Sequence, residues 1–213
     1  MPESIFRYFP SLSGIQVDRF SRMMEIYRVW NDRINVISRK DLENFYVHHV
    51  LHSLSIARII SFLPSTRILD VGTGGGFPGI PLAILFPGSE FTLLDSVAKK
   101  IRVADAVIGE LGLRNAFTAR RRIEEEKGKY DFVVSRAVTD FPGLVRLTAG
   151  KISAGSRNSL QNGIICLKGG SIDDEVAPFR ARVRIWDIKD FFSEPFFETK
   201  KIIFLPSAEA DGN

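Results

Sequence analysis

One short segment of the 213-residue chain concentrates residues that could hold a small ligand. It runs from Asp70 to Gly79 and reads Asp-Val-Gly-Thr-Gly-Gly-Gly-Phe-Pro-Gly. Glycines let a backbone turn tightly and approach a ligand closely, and the first N–H groups of a following helix attract ligand oxygens. Asp95 ends the next apolar run, and a carboxylate beside such a loop can accept hydrogen bonds from a ribose. The segment therefore predicts a site for a nucleoside-containing cofactor.

Two kinds of cofactor are compatible with this loop. Gly74, Gly76 and Gly79 formally match the glycine spacing of dinucleotide-binding loops. That frame, however, starts well after Asp70 instead of directly at the end of the strand. The frame Asp70-x-Gly72-x-Gly74-x-Gly76 fits better, and its acid would repel a pyrophosphate but suits a cationic ligand such as S-adenosylmethionine. We interpret the loop as a methyl-donor site, with a glycine-rich structural turn as the remaining alternative.

The patterns around the loop predict the sheet that must position it. Short apolar runs alternate with helical stretches, which implies parallel strands with helices on both faces, a doubly wound α/β sheet. Five strands are predicted at 67–72, 91–95, 116–121, 131–135 and 163–168, and helices at 79–86, 97–111, 141–152 and 172–179. Two more strands, 183–188 and 199–205, have no convincing helix between them and predict an antiparallel hairpin. The expected sheet is seven-stranded and mostly parallel.

Helices are predicted before the sheet. Apolar residues recur in steps of three and four over 17–37 and again over 41–62, and Ser38 or Asp41 is expected to cap the second helix. The chain is therefore divided into an N-terminal helical extension (1–63), a sheet domain (64–206) and a flexible tail (207–213).

Composition excludes several classes of protein. The longest apolar stretches fall far short of the ~20 residues that cross a bilayer, and the N-terminus lacks the layout of a secretory signal. One cysteine, Cys166, excludes an internal disulfide and fits a reducing cytoplasm. The net charge of +4 permits an RNA or phosphate partner without demanding one. We expect a cytoplasmic protein that does not contact a membrane.

A longer run around the loop resembles a known family. Residues 68–83 read Ile-Leu-Asp-Val-Gly-Thr-Gly-Gly-Gly-Phe-Pro-Gly-Ile-Pro-Leu-Ala and resemble the signature of the glucose-inhibited division protein B family. The extension Gly-Phe-Pro-Gly-Ile-Pro is much more specific than the glycine motif alone. Further resemblances follow in order along nearly the whole chain, at Trp30-Asn31, 34–38 (Ile-Asn-Val-Ile-Ser), 49–54 (His-x-x-His-Ser-Leu), 93–96 (Leu-Leu-Asp-Ser), 135–137 (Ser-Arg-Ala) and 168–170 (Lys-Gly-Gly).

The resemblance implies a class I S-adenosylmethionine-dependent methyltransferase with a Rossmann-like fold. Members of the family place a methyl group on N7 of one guanine in the 16S ribosomal RNA of the small ribosomal subunit. We therefore expect S-adenosylmethionine as the cofactor, no metal, 16S rRNA or the small subunit as the partner, and a monomer. A small-molecule methyltransferase of the same fold and a non-catalytic donor-binding protein are the alternatives.

The resemblance also assigns residues to the donor. Backbone groups of Gly72 and Gly74 would hold its methionine part, and Phe77 would line its pocket. Asp95, with Ser96 beside it, would meet the ribose. The full set of predicted cofactor-binding residues is Asp70, Gly72, Gly74, Gly76, Phe77, Asp95, Ser96, Ile123, Glu124 and Arg136, in which Ile123 and Glu124 match the family pair near the adenine.

Three basic residues are predicted to bind RNA because they lie at strand ends on the expected ligand edge: Arg122, Arg136 and Lys168. Arg136 also matches the family arginine at the junction of donor and RNA, and it is the candidate for orienting the substrate. Guanine N7 has a free lone pair and no proton to lose, so alignment is sufficient and no catalytic base is predicted. Cys166 lies in an apolar strand and is interpreted as a buried, inert thiol. For His48, His49 and His52 the spacing favours packing or helix–domain contacts over metal binding.

Overall fold

A computed structural model describes residues 2–34, 36–136 and 139–207, with only the backbone for residues 39 and 40. Seven strands form one sheet in the order β3-β2-β1-β4-β5-β7-β6. β7 runs antiparallel to both of its neighbours, and the remaining pairs are parallel. The strands are β1 (Arg67–Val71), β2 (Glu90–Asp95), β3 (Ala116–Arg120), β4 (Phe132–Arg136), β5 (Gly163–Gly169), β6 (Arg184–Asp187) and β7 (Lys200–Pro206).

Both faces of the sheet are covered, which explains the continuous apolar runs of the central strands. On one face, side chains such as Ile68 and Leu93 share a core with the helices of the N-terminal region and with α5 and α6. On the other face, Leu69 and Val71 pack with α7 and α8. The eight α-helices of the described residues are α1 (Glu3–Tyr8), α2 (Gly14–Arg33), α3 (Arg39–Glu43), α4 (His52–Leu54), α5 (Gly79–Leu85), α6 (Ala98–Glu110), α7 (Phe141–Leu147) and α8 (Asp173–Val176).

The parallel register brings the carboxyl ends of the central strands together. Val71 of β1 lies opposite Leu94 of β2 on one side and Ser135 of β4 on the other. The loop after β1, Asp95 at the end of β2 and Arg136 at the end of β4 are therefore neighbours at one edge. Open α/β sheets bind ligands at this edge.

The predicted C-terminal hairpin is confirmed, with an added detail of order. β7 lies between β5 and β6, so β6 is the edge strand. Two 3₁₀ turns, Ile188–Asp190 and Pro195–Thr199, occupy the connection where no helix is expected. The second turn brings Phe196 and the start of β7 towards the ligand edge.

The N-terminal helices differ from the prediction in their bounds. α2 starts with a capping box between Ser13 and Gln16 and ends at Arg33 instead of residue 37. It ends there because the buried side chain of Asn31 accepts hydrogen bonds from the N–H groups of Val36 and Ile37 and donates to the Ile37 carbonyl. These bonds satisfy backbone groups that a continued helix would otherwise pair.

The second predicted helix is broken into pieces. Ser38 caps α3 by accepting from the Asp41 N–H, as one of the two predicted alternatives. A π-helix (Tyr46–Leu51), α4 and a 3₁₀ turn (Ser55–Arg58) follow it. The sequence pattern does not predict α1, and α7 ends at Leu147, earlier than expected.

The division at residues 63 and 64 stays a prediction. The N-terminal helices and the sheet share one core, so the extension is packed on the sheet face. Residues 208–213 of the predicted flexible tail lie outside the described residues. No helix in the described part of the chain is long and apolar enough to cross a bilayer.

Candidate active site

A cavity of about 770 Å³ lies at the carboxyl edge of the sheet. One side is formed by the glycine loop and the segments after β2 and β3, and the other by the π-helix, Arg136 and the chain around Phe196. Ten of the predicted site residues line it: Gly72, Gly74, Phe77, Asp95, Ser96, Arg122, Ile123, Glu124, Arg136 and Lys168. The sequence therefore located the cavity. Asp70 and Gly76 do not line it.

The glycine loop has a conformation that requires glycine at several positions. Gly72, Gly74 and Gly76 have φ of 67°, 58° and 112°, in the region that L side chains avoid. At Gly74 the space where a Cβ would stand is open, with no atom of the described residues within 4 Å. At Gly76 a Cβ would lie 2.3 Å from Ile80 Cδ1. Gly74 thus faces the cavity, whereas Gly76 packs against α5.

Asp95 connects the loop to β2. Its Oδ2 accepts a hydrogen bond from the Gly74 N–H at 3.0 Å, and its Oδ1 accepts one from Val97 N–H at 2.8 Å. A carboxylate oxygen has two lone pairs, so each oxygen can accept another hydrogen bond. The side chain is buried but lines the cavity. Asp95 can therefore hold the loop and accept from a ligand hydroxyl at the same time.

Asp70 lies beneath the loop and does not line the cavity, and its predicted contact with the donor stays a prediction. Its Oδ2 accepts from the Thr73 hydroxyl at 2.6 Å and from the Gly79 N–H at 2.8 Å. Oδ1 is buried and has no hydrogen-bond partner within the described ranges. Burial raises the pKa of Asp70 from 3.8 to about 7, although these hydrogen bonds and Arg136 oppose the rise. The residue fastens the turn into α5.

Arg136 is held by the π-helix. Its Nη1 donates to the His48 carbonyl at 3.1 Å, and its Nη2 lies 3.0 Å from His49 Nδ1. Its guanidinium lies over the Phe77 ring, 5.1 Å from the centroid. Burial lowers the pKa of Arg136 to about 10, so the group is still protonated at neutral pH. Arg136 is therefore a fixed cation on the cavity wall.

The contact with Arg136 also defines the state of His49. A guanidinium only donates, so His49 Nδ1 accepts and the ring proton is on Nε2. Burial, followed by the charge of Arg136, lowers the pKa of His49 to about 3. His49 is neutral near pH 7. π-Helices are rare and are frequent at functional sites, which agrees with this position beside the cavity.

The other two histidines pack against aromatic rings, in agreement with the sequence interpretation. His48 stacks on Phe196 with the ring centroids 4.0 Å apart, and its Nδ1 lies 3.1 Å from Asp41 Oδ1. His52 is buried against the edges of Phe196 and Phe197. Burial lowers the pKa of His52 well below its usual value. Cys166 is likewise buried, and burial raises the pKa of its thiol to about 12, as expected of an inert thiol.

The remaining predicted residues differ in how accessible they are. Ile123 is buried, and Glu124 beside it is exposed, in the 3₁₀ turn after β3. Arg122 is exposed at the cavity rim. Lys168, by contrast, forms an ion pair of 2.8 Å with Glu175 and donates to the Thr139 carbonyl. Its charge is balanced inside the protein, so it is less suited to a phosphate than Arg122.

Sequence reasoning missed Tyr27 and Phe196. The periodicity of α2 places Tyr27 only on an apolar helix face, yet its hydroxyl donates to the Gly75 carbonyl at 2.7 Å. Phe196 lies in the connection between the last two strands, where the sequence predicts no helix. No local pattern indicates either contact, because each joins segments that are distant in the chain.

S-adenosylmethionine fits the residues that line this cavity. Asp95 offers acceptor capacity to the ribose hydroxyls, and the open space at Gly74 admits a ligand against the backbone. Ile123 and Phe77 provide apolar surface. A carboxylate directly beside the loop disfavours phosphates and suits a ligand without them. The sheet order and this site define a class I methyltransferase.

Solved structures share the fold. Precorrin-6y C5,15-methyltransferase from Geobacter metallireducens superposes with a TM-score of 0.54 at 11% identity, over 82% of this chain and 92% of that one. The structure of MtNAS in complex with MTA and tNA superposes with a TM-score of 0.57 at 14% identity, over 88% of this chain and 71% of that one. At such identities the likeness concerns the fold alone.

The sequence comparisons give the family. The GidB family, rRNA small subunit methyltransferase G, matches residues 16–203. Proteins of that name from Phocaeicola vulgatus and Bacteroides thetaiotaomicron are 50% identical over 203 and 202 residues, which is 95% of this chain in both cases and 97% and 98% of the relatives. This chain belongs to the rRNA small subunit methyltransferase G family. The predicted family, fold class and methyl donor are confirmed, and the chain is an rRNA methyltransferase.

The buried Asp70 carboxyl makes stability depend on pH. Its pKa is about 7 in the folded protein and 3.8 as the ordinary value, so the folded state binds more protons between these values. The stability that Asp70 contributes is present below pH 3.8 and is lost as pH rises to about 7, by at most about 1.4 kcal/mol per pH unit. Asp70→Asn keeps an oxygen for Thr73 and Gly79 and cannot ionise. We expect the variant to gain stability relative to the parent chain as pH rises from 4 to 7.

Urea unfolding at several pH values measures this difference. The matched control is Asp190→Asn, which removes an exposed carboxylate. The control should leave the pH dependence unchanged. A constant difference between Asp70→Asn and the parent chain across this range would contradict a raised Asp70 pKa.

Proposed function

We propose that this chain transfers the methyl group of S-adenosylmethionine to N7 of a guanine in the 16S rRNA of the small ribosomal subunit. The observation that carries the proposal is that one cavity joins the glycine loop, Asp95 and Arg136 in a chain of the rRNA small subunit methyltransferase G family. The first two supply a donor side, and Arg136 supplies a cation beside it. We also propose that the protein acts as a monomer in the cytoplasm, where this RNA is found.

On the donor side, the proposed contacts follow from the geometry of the loop. Gly72 and Gly74 present backbone at the cavity, so they hold the methionine part of the donor. Asp95 accepts from the ribose hydroxyls, and Ser96 is exposed beside it. Ile123 packs on the adenine, and Glu124, which lines the same part of the cavity, accepts a hydrogen bond from the adenine amino group. Asp70 and Gly76 support this surface from behind.

The reaction asks little of the protein in proton transfer. Bound S-adenosylmethionine would supply an electrophilic methyl carbon, to which the N7 lone pair bonds as the C–S bond breaks and its electron pair returns to the sulfur, which leaves as a neutral thioether. The positive charge passes to the guanine, and no proton is lost. The residues of this chain therefore act by aligning the base with the donor and by excluding water.

Arg136 is proposed to orient the guanine or its phosphate. Among the described residues, two of its N–H groups bond to His48 and His49, and its other N–H groups are proposed to donate to the substrate. The carboxyl of Asp70 raises the pKa of Arg136 and so favours its charged form. The neutral His49 and His52 add no further positive charge near a base that becomes cationic, which favours the product side of the reaction.

RNA binding is proposed to begin at the rim of the cavity. Arg122 is exposed there and is available to a phosphate, whereas Lys168 is paired with Glu175. Contacts to phosphates position an RNA, while contacts to a base select it. Arg122 and Arg136 thus have separate proposed roles, the first in docking and the second in placing the base.

The test is transfer of labelled methyl groups to small subunits that lack the modification. Mass spectrometry of RNA fragments should find 7-methylguanosine at one position in 16S rRNA, and free 16S rRNA run in parallel identifies the preferred substrate. Labelling of a metabolite in place of RNA would favour a small-molecule methyltransferase. Donor binding without transfer to either RNA substrate would favour a non-catalytic binding protein. Either of these two results would overturn the proposal.

The donor side can be tested with two glycines of the same backbone conformation. Gly74 and Gly112 have φ of 58° and 60°, and at neither does an atom of the described chain lie within 4 Å of the point that a Cβ would occupy. Only Gly74 lines the cavity. Gly74→Ala and Gly112→Ala should therefore destabilise the fold similarly, but only the former should raise the donor Kd, by about tenfold or more in calorimetry. Equal donor affinity in the two variants would contradict the assigned donor side.

The role of Arg136 can be separated from that of Arg122. Arg136→Lys retains the charge above Asp70 but cannot reproduce the two-armed contact with the π-helix. We expect kcat to fall about 100-fold, because the substrate would be misplaced relative to the donor. The donor Kd should stay within about threefold of the parent value. Arg122→Ala should instead raise the KM for the small subunit. The slope of log subunit affinity against log salt concentration should become shallower by about one, because one phosphate contact is lost. An unchanged kcat in Arg136→Lys would remove Arg136 from the substrate side.

A further inference from the structure

Tyr27 joins the N-terminal helices to the glycine loop. It lies on α2, is fully buried, and its hydroxyl donates to the Gly75 carbonyl at 2.7 Å. Its ring contacts those of Phe77 and Phe45, with centroids 5.0 and 5.1 Å away. The contact spans 48 positions of sequence. Helix α2 therefore reaches the part of the sheet edge where the donor is proposed to bind.

The contact falls at the middle of the loop. Gly75 lies between Gly74, which faces the cavity, and Gly76, which packs inwards. A Cβ at Gly76 would stand 3.1 Å from the Tyr27 oxygen, and one at Gly75 would stand 3.3 Å from Val36 Cγ2. The inner side of the loop is thus fitted against α2 and the turn that follows it. The outer side is left for a ligand.

A loop of this composition needs an external contact to hold one shape. Glycine has more accessible backbone conformations than any other residue, and three adjacent glycines have no side chains to restrict one another. Asp95 fixes the Gly74 N–H from the β2 side, and Tyr27 fixes the next carbonyl from the opposite side. A ligand that meets a loop already in its bound shape loses less entropy on binding.

We propose that Tyr27 is a positioning residue for the donor, whose hydroxyl holds the Gly75 carbonyl and so keeps the glycine loop in the shape that receives S-adenosylmethionine. The proposal rests on the proposed donor side of the cavity. Burial raises the pKa of Tyr27, so its hydroxyl stays protonated and continues to donate at any working pH. The helical region before the sheet is, on this proposal, part of the donor site.

Tyr27→Phe removes the hydroxyl and keeps the ring. Tyr46→Phe is the matched control, because Tyr46 is also buried in the N-terminal region and donates to a backbone carbonyl, that of Phe20, at 2.9 Å. Calorimetry with S-adenosylmethionine should show a Kd about tenfold higher for Tyr27→Phe, the effect of about one hydrogen bond, and within about twofold for Tyr46→Phe. The KM for the donor should rise with the Kd, while the KM for the small subunit stays unchanged.

Amide hydrogen exchange without any donor gives an independent readout. Gly76 and Phe77 N–H groups bond to the Thr73 carbonyl within the loop, and they should exchange faster in Tyr27→Phe while the β1 amides do not. Placing 4-aminophenylalanine at position 27 restores an N–H donor at the same point, and it should return the Kd to within about threefold of the parent value. This variant also tests the proposal if the Phe variant does not fold.

The outcomes separate the two proposals. If the parent chain does not bind S-adenosylmethionine, the donor side itself is wrong. If the parent chain binds and Tyr27→Phe binds equally well, or if Tyr27→Phe and Tyr46→Phe weaken binding equally, the positioning role of Tyr27 is overturned and the donor side stands. The positioning role would also be overturned if the variant with 4-aminophenylalanine at position 27 bound S-adenosylmethionine no better than Tyr27→Phe.

Discussion

The glycine loop after β1 has almost no side chains with which to hold itself, and the rest of the site depends on the groups that hold it. Asp95 bonds the Gly74 N–H from β2, Asp70 bonds the Gly79 N–H from below, and Tyr27 bonds the Gly75 carbonyl from α2. Three separate elements of the fold thus fix one backbone segment. A loop that must leave its outer side free for a ligand can be held only from behind and from its ends, which is where these three contacts lie.

The charges of Asp70 and Arg136 also act on each other. Asp70 raises the pKa of Arg136 against the effect of burial, and Arg136 lowers that of Asp70. Each group is also bonded to backbone, Asp70 to the loop and Arg136 to the π-helix. Backbone contacts therefore hold both groups, Asp70 beneath the loop and Arg136 on the cavity wall.

Much of the cavity lining could be predicted from the sequence because its signals are local. The glycine loop, Asp95 and Arg136 each follow a strand that an apolar run marks, and parallel strands bring their carboxyl ends to one edge. Asp70 is the exception, because successive side chains of a strand point to opposite faces of the sheet. Its side chain points to the face that carries Ile68 and α5, below the loop.

What the sequence did not reveal depends on contacts between distant segments. The spacing of Tyr27 is that of any buried helix residue, and only the packing of α2 on the sheet brings its hydroxyl to the loop. Lys168 ends a strand on the ligand edge, as predicted, but Glu175 of the short α8 folds back to neutralise it. The π-helix has no sequence rule of its own, although His48 and His49 mark its position.

The two walls of the cavity are formed by different parts of the chain. The wall with the glycine loop, Asp95 and Ile123 is built from the loops that follow the parallel strands. The opposite wall comes from the π-helix before the sheet and from Phe196 and Lys200 in and after the last connection. These segments meet through the stacking of His48 on Phe196. Because the donor is proposed to bind on the first wall, the second is what remains to select the RNA, and Arg136 stands where the two walls join.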